Sequence, residues 1–257
     1  RINVKKDYPA IWEYFNKVNR ELDGRAETRY DQGAHWTNLR NCAYVDLFNM
    51  PKIAWGNLAI SSQFAYVASG VFINAPSPLI TPGNKYLLAV LNSKLGDYYI
   101  RSLGVTRNGG YFEYKPMFVE RLPVPKISSE TQPLFENLVD YICFCQDCDM
   151  SSESIFLETV IDGLVYELYL PDEIKAADAE VLKHLTTPLI PLLRKEGSSK
   201  SVVVLSELKD EWPDEKKLEV IENVYKELSD PSHPVSIAMA RQKTVPEVRI
   251  IEGLDKE

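Results

Sequence analysis

Between residues 42 and 74 the chain cannot hold one hydrophobic pattern for more than a few residues before a turn-forming group interrupts it. Strand-like alternation runs over residues 43–48, 52–59, 64–68 and 71–74, and Asn49-Met-Pro51, Ser61-Ser62 and Ser69-Gly70 separate the runs. Strands this short with connections this tight predict a meander of antiparallel pairs. The prolines of 74–78 and Thr81-Pro-Gly83 then form a rigid connection. Past it the period changes to that of a helix, with Leu87, Leu88, Leu91, Leu95 and Tyr98 or Tyr99 on one face over 85–103 and Gly104 as the stop.

The flanks read differently. Asp7 predicts an N-cap with Pro9 in the first turn, and Ile11, Phe15, Val18 and Leu22 predict one apolar helical face ending at Gly24. Residues 25–41 lack a sustained period and mix basic with aromatic side chains, which predicts a loop. Arg107-Asn-Gly-Gly110 marks a turn before a short aromatic strand at 111–114. The prolines of Leu122-Pro-Val-Pro125 force an extended exit and place a boundary near residue 127. Beyond it, residues 131–149, 153–170 and 213–228 read as helices, helical structure is expected to continue over 171–194, Gly197-Ser-Ser-Lys200 reads as a flexible break, and 245–251 reads as a final strand.

Four strings stand in one order along the first half: Trp36-Thr-Asn-Leu-Arg40, Met50-Pro-Lys-Ile53, Tyr86-Leu-Leu-Ala-Val-Leu-Asn-Ser-Lys94 and Leu122-Pro-Val-Pro125. Together they resemble the TaqI-like C-terminal specificity domain, the target-recognition domain of type IIG restriction-modification enzymes and DNA adenine methyltransferases. The resemblance covers residues 8–126 and continues more weakly to about 175, where Ile161-Asp-Gly-Leu-Val-Tyr-Glu-Leu-Tyr169 resembles the helical segment that follows that domain. It implies an α+β protein: a DNA target-recognition domain at 1–126 with a short-stranded, mainly antiparallel sheet and packed helices, then a mostly helical extension at 127–257. It also implies a parent enzyme that methylates adenine with S-adenosylmethionine, with an endonuclease and its Mg as a further possibility, and as partners double-stranded DNA and a methyltransferase part N-terminal to Arg1.

Charge bears on that reading. The net charge of −8 opposes binding to a polyanion. Residues 1–130, however, hold 16 Lys and Arg against 11 Asp and Glu, a net of +5, which leaves −13 for the remainder. The rival reading is a protein-protein interaction module that docks other subunits through the acidic half without touching DNA. A stand-alone hydrolase is disfavoured, because His35, His184 and His233 lie in separate segments with no matching nucleophile.

Catalytic chemistry is not expected in this stretch. Adenine methylation needs hydrogen-bond acceptors for the exocyclic amine and an aromatic ring to stack on a flipped base. The nearest string to the family's N-P-P-Y type motif, Asn74-Ala-Pro-Ser77, lacks the aromatic, and no glycine-rich cofactor turn is present. Pro171-Asp-Glu-Ile-Lys175 offers acids and a lysine but reads as a helix start. Cys143, Cys145 and Cys148 fall in a helical run where positions 143 and 145 point about 200° apart, which predicts buried or half-buried helical thiols rather than a metal site. The apolar runs fall short of the roughly 20 residues that span a bilayer, no leader is visible, and a cytoplasmic protein with reduced cysteines is expected. Arg1 in place of Met suggests a piece of a longer polypeptide.

Recognition remains. Cations position a protein on phosphates, and polar or planar groups read base edges. The candidates are Arg29, His35, Trp36, Arg40, Lys52, Trp55, Ser61, Ser62, Arg107, Asn108 and Lys115. Trp36 and Trp55 read equally well as core aromatics. Arg107 is expected to reach a phosphate or base edge from an exposed turn and to matter little for folding, against the alternative of a solvent-exposed hairpin.

Overall fold

The computed structural model describes residues 3–21, 44–188 and 202–254. The chain divides into two compact units, residues 1–47 and 48–257.

In the first unit, helix α1 (Val4–Asp7) precedes helix α2 (Pro9–Glu21). The cap differs from expectation. Asp7 does not open α2, which starts at Pro9, but ends the separate short α1, where its carboxylate accepts the Asn3 N–H at 2.7 Å and Asn3, the N-cap of α1, accepts from the Lys6 N–H at 3.1 Å. Ile11 and Phe15, the expected apolar face, are exposed. The Val18 side chain, Leu22 and Gly24 lie outside the described residues, as does the whole loop at 25–41.

The second unit opens with small antiparallel sheets. The predicted strand at 43–48 is instead a 3-10 turn, Val45–Asn49, of which only Phe48 is buried, stacked on Phe72 with ring centres 4.8 Å apart. Strands β1 (Lys52–Ala54), β2 (Leu58–Ala59), β3 (Ala65–Val67) and β4 (Leu79–Ile80) follow. The first sheet has the order β3-β1-β4, with Ile53 opposite Tyr66 on one side and Ile80 on the other. Its third strand therefore comes from the proline-rich connection, and residues 71–74, predicted as a strand, form none.

The predicted helix over 85–103 is two helices, α3 (Lys85–Asn92) and α4 (Lys94–Leu103), broken at Ser93. Ser93 serves both ends: its hydroxyl donates to the Val90 carbonyl at 2.7 Å and accepts from the Gly96 N–H at 3.1 Å. A Cβ on Gly96 would stand 2.2 Å from the Val90 carbonyl oxygen, so the corner closes only around glycine. Asn92 binds the Phe64 backbone on both sides, accepting its N–H at 2.9 Å and donating to its carbonyl at 2.8 Å. The Leu-Asn-Ser-Lys string thus marks a helix corner pinned to the sheet.

Strand β5 (Phe112–Glu113) pairs antiparallel with β2, and helix α5 (Pro116–Val119) follows. Helices α6 (Gln132–Asp147) and α7 (Ser151–Tyr169) form an antiparallel pair, and α7 is buried on nearly every side through Leu157, Val160, Ile161, Leu164 and Val165. Helix α8 (Pro171–Ala176) carries Asp172 and Glu173 in its first turn, where acids suit the helix dipole. Helical structure does not run on to 188: a 3-10 turn at Leu182–His184 leads into β6 (Leu185–Thr186), parallel to β7 (Val203–Val204). The stretch 197–200 lies outside the described residues. Helices α9 (Asp214–Leu228), α10 (Pro234–Gln242) and α11 (Pro246–Glu252) close the fold. The expected strand at 245–251 is α11, because Val245 and Val248 are buried while Ile250 is exposed, a spacing of three rather than two.

One core joins the sheets to these helices. Tyr86 on α3 meets Phe135 on α6 edge to face at 5.0 Å and donates its hydroxyl to the Pro125 carbonyl at 2.7 Å. On α7, the Asp162 carboxylate accepts the Lys94 N–H at 2.8 Å, and Glu252 on α11 lies 3.3 Å from the Lys94 ammonium. Cys145 is buried while Cys143 and Cys148 are exposed, all three as free thiols. The fold is α+β, with small antiparallel sheets early and a mostly helical region after residue 130.

Candidate nucleic-acid interface

Register builds the site. Leu58 lies opposite Glu113 and Ala59 opposite Phe112, while Thr106 bridges Phe112 from the other side. Residues 105–107 thereby add a third edge to the pair, closed by the Arg107 N–H donating to the Tyr111 carbonyl at 2.6 Å. The turn between them is a 3-10 segment, Asn108–Gly110, in which Gly109 and Gly110 hold φ of 81° and 79°. Side chains with a Cβ are strained there, so the Gly-Gly pair is what allows so tight a turn.

Alternation sends Ala59 and Phe112 inward, where the Arg101 guanidinium covers the Phe112 ring at 3.9 Å. The opposite face carries Glu113. Although it is 3% exposed, its partners are two cations that reach over it from solvent. Arg107 donates from Nε to Oε1 at 2.6 Å and from a terminal N–H to the same oxygen, and Lys115 reaches Oε2 at 2.9 Å. Lys115 and then Arg107 hold the Glu113 carboxyl below the usual carboxylate range.

Behind this ribbon, Asp97 on α4 accepts the Ser62 N–H at 2.7 Å, an Arg101 N–H at 3.0 Å and the Tyr114 hydroxyl. Burial, and then the bond to Asp97, pushes the Tyr114 hydroxyl well up. These bonds fix the loop carrying Ser61 and Ser62 against the strand that carries Glu113.

The residues predicted from sequence divide accordingly. Arg107 and Asn108 lie at the turn end of the ribbon, Lys115 lies past the other end of β5 and reaches back to Glu113, and Ser61 is exposed on the connection after β2. Ser62 is half-buried. Two candidates are core side chains. Lys52 is fully buried with its ammonium donating to the Ala68 carbonyl at 2.9 Å, and Trp55 is buried with its indole N–H donating to the Tyr114 carbonyl at 2.5 Å. Burial removes both from any surface that a duplex can touch. Arg29, His35, Trp36 and Arg40 lie outside the described residues.

Sequence reasoning also treated Arg107 as a free turn arginine, and its ion pair with a buried carboxylate corrects that. Glu113 was missed. The available signal was a lone acid in an aromatic strand, two residues before one cation and six after another. Among the described residues no group of three or more His, Cys, Asp or Glu is arranged to hold a metal ion, and no helix is long and apolar enough to cross a membrane.

No curated protein sequence matches the chain. Residues 3–124 match the family model of the TaqI-like C-terminal specificity domain, a segment that includes the whole ribbon with Arg107, Glu113 and Lys115. That segment is a TaqI-like C-terminal specificity domain, which implies a DNA-recognition role within a restriction-modification enzyme.

Proposed function

We propose that this chain is the sequence-recognition region of a type IIG restriction-modification enzyme, a cytoplasmic site-specific DNA adenine methyltransferase whose catalytic and S-adenosylmethionine sites lie in another part of the polypeptide. The family match over residues 3–124 carries the reading. The DNA-reading part is residues 1–126, and its role is to grip duplex DNA and set which adenine is presented. The proposed contacts are Arg107 and Asn108 at the exposed turn before β5 and Lys115 just after β5, with Arg107 and Lys115 meeting over Glu113.

The test is duplex binding by the whole chain at low and rising salt. Affinity should fall steeply as salt rises, because each cation placed on a phosphate releases counterions. Absent or salt-indifferent binding would sink the proposal. Calorimetry with S-adenosylmethionine should give no binding heat, and micromolar binding would overturn the assignment of the cofactor to another part. The net charge of −13 beyond residue 130 favours a second reading, in which the acidic helical half docks protein subunits and DNA is not contacted. Duplex binding separates the two.

A further inference from the structure

The outward face of the ribbon combines two chemistries that rarely share a surface. Register puts Leu58 opposite Glu113 on this side, alternation adds Val105, Tyr111 and Arg107, and Ile60 follows at the bend just past β2. Leu58 is 55% exposed, Ile60 60%, Val105 51% and Tyr111 43%. Four large apolar side chains open together on one small face are a patch that soluble surfaces avoid unless something covers it. Its charged members are Arg107 and Lys115, which lie over Glu113, so the face presents hydrocarbon flanked by cations.

A duplex matches that arrangement. Its phosphates complement the cations, and beyond the small thymine methyls and sugar faces of the grooves, the broad apolar surface it offers to several large side chains is the stacking face of a base pair, reached by a wedge that partly unstacks one step. A protein partner would bury the hydrocarbon equally well but would not by itself call for cations at its edge.

Resting on the DNA-recognition reading above, we propose that this face deforms DNA: Leu58 and Ile60 wedge into a base-pair step while Arg107 and Lys115 hold the flanking phosphates. The site would then be chosen partly by how easily a step unstacks, which favours pyrimidine–purine steps, in addition to any hydrogen-bonded reading of base edges.

Unstacking by a wedge unwinds the duplex, and unwinding is measurable without knowing the recognition sequence. Closed circular plasmid is relaxed by a topoisomerase in the presence of the full chain at low salt, and the topoisomer distribution is compared with binding to linear fragments of the same plasmid. The wild-type chain should shift the distribution in proportion to the amount bound. The Leu58→Ser/Ile60→Ser double variant, which changes only exposed side chains, should keep the salt dependence of binding and lose the shift.

Wild-type binding without a topoisomer shift overturns the wedge and leaves DNA recognition standing. No wild-type binding at low salt overturns both. Unwinding by the double variant equal to wild type, per chain bound, also overturns the wedge. Should the double variant bind too weakly to compare, Ile60→Val, which keeps a shorter hydrocarbon, must unwind less per bound chain than wild type, and equal unwinding overturns the proposal.

Discussion

Arg107 and Glu113 are locked together across the ribbon, the guanidinium donating from Nε at 2.6 Å and from a second N–H to a single carboxylate oxygen that is otherwise shielded from water. The pair ties the cation proposed to meet DNA to an acid that would compete with phosphate for it. Lys115 is held in the same way from the other side.

Glu113→Gln should therefore free both cations. The variant is expected to bind duplex DNA with a salt slope steeper by about one per cation released to a phosphate, measured by anisotropy titration over a range of salt concentrations. It should also melt lower than wild type near neutral pH. The sign follows from the lowered pKa: ionised Glu113 stabilises the fold above the ordinary carboxylate range, and that contribution is lost as pH falls through the folded value. The gap in melting temperature should close in acid. An unchanged or shallower salt slope would show that neither cation reaches phosphate.

Gly96→Ala tests the helix corner. Its Cβ would sit 2.2 Å from a backbone oxygen, which cannot rotate away, so α3 and α4 must part. A loss of about 1–3 kcal/mol is expected from overpacking of this kind, read by denaturant melts. Ser102→Ala, at an exposed position on the same helix, should stay within about 0.5 kcal/mol of wild type. Equal stability of the two variants would mean the corner is not fixed by this contact.

Asp162 gives the chain a pH dependence of the opposite sign. Burial pushes its carboxyl up to about 7, against the opposing bond and charge of Lys94. Between the ordinary carboxylate value, about 4, and that folded value, the native state keeps a proton that the unfolded chain has lost, so stability falls as pH rises through this window and then levels. Asp162→Asn keeps an acceptor for the Lys94 N–H and cannot ionise. It should gain on wild type across the window by about 1.4 kcal/mol for each unit of pKa difference, measured by urea melts at about pH 5 and pH 8. A relative stability that does not move between these two values would mean the carboxylate stays ionised beside Lys94.

Where sequence reading succeeded and failed follows the range of the determining interactions. The period of 85–103 announced a helical stretch, because Leu88, Leu91 and Leu95 face one core. The break inside it went unread: Ser93 and Gly96, which make the corner, are also tolerated within helices, and the bond that holds Lys94 there comes from Asp162, 68 positions away. The single strand expected over 52–59 is β1 and β2, broken at 55–57, and the strand expected at 111–114 holds β5, but the pairing of Leu58 with Glu113 was not legible, since alternation reports a face and says nothing of register. Lys52 looked like a phosphate ligand because a lysine in a short strand normally snorkels to solvent. Its actual acceptor, the Ala68 carbonyl, comes from folding the turn after β3 back over it.

The boundary near residue 127 carries the last prediction. Prolines 123 and 125 do make an extended exit, but the core does not stop there. Tyr86 packs on Phe135, the Lys85 ammonium bonds Asp140 at 2.7 Å, and Lys94 is held by Asp162 and Glu252. A chain ending at residue 126 would expose the apolar face of α3 and leave the Lys94 corner without its acids, so its folding should fail even though the family match lies wholly within it. Full-length protein should show fixed aromatic signals in near-ultraviolet circular dichroism and a cooperative melt, and the truncated chain should show neither. A truncated chain that melts cooperatively with those signals intact would make the helical extension a separable domain, and the Lys94 to Asp162 bond an interdomain contact rather than part of the recognition fold.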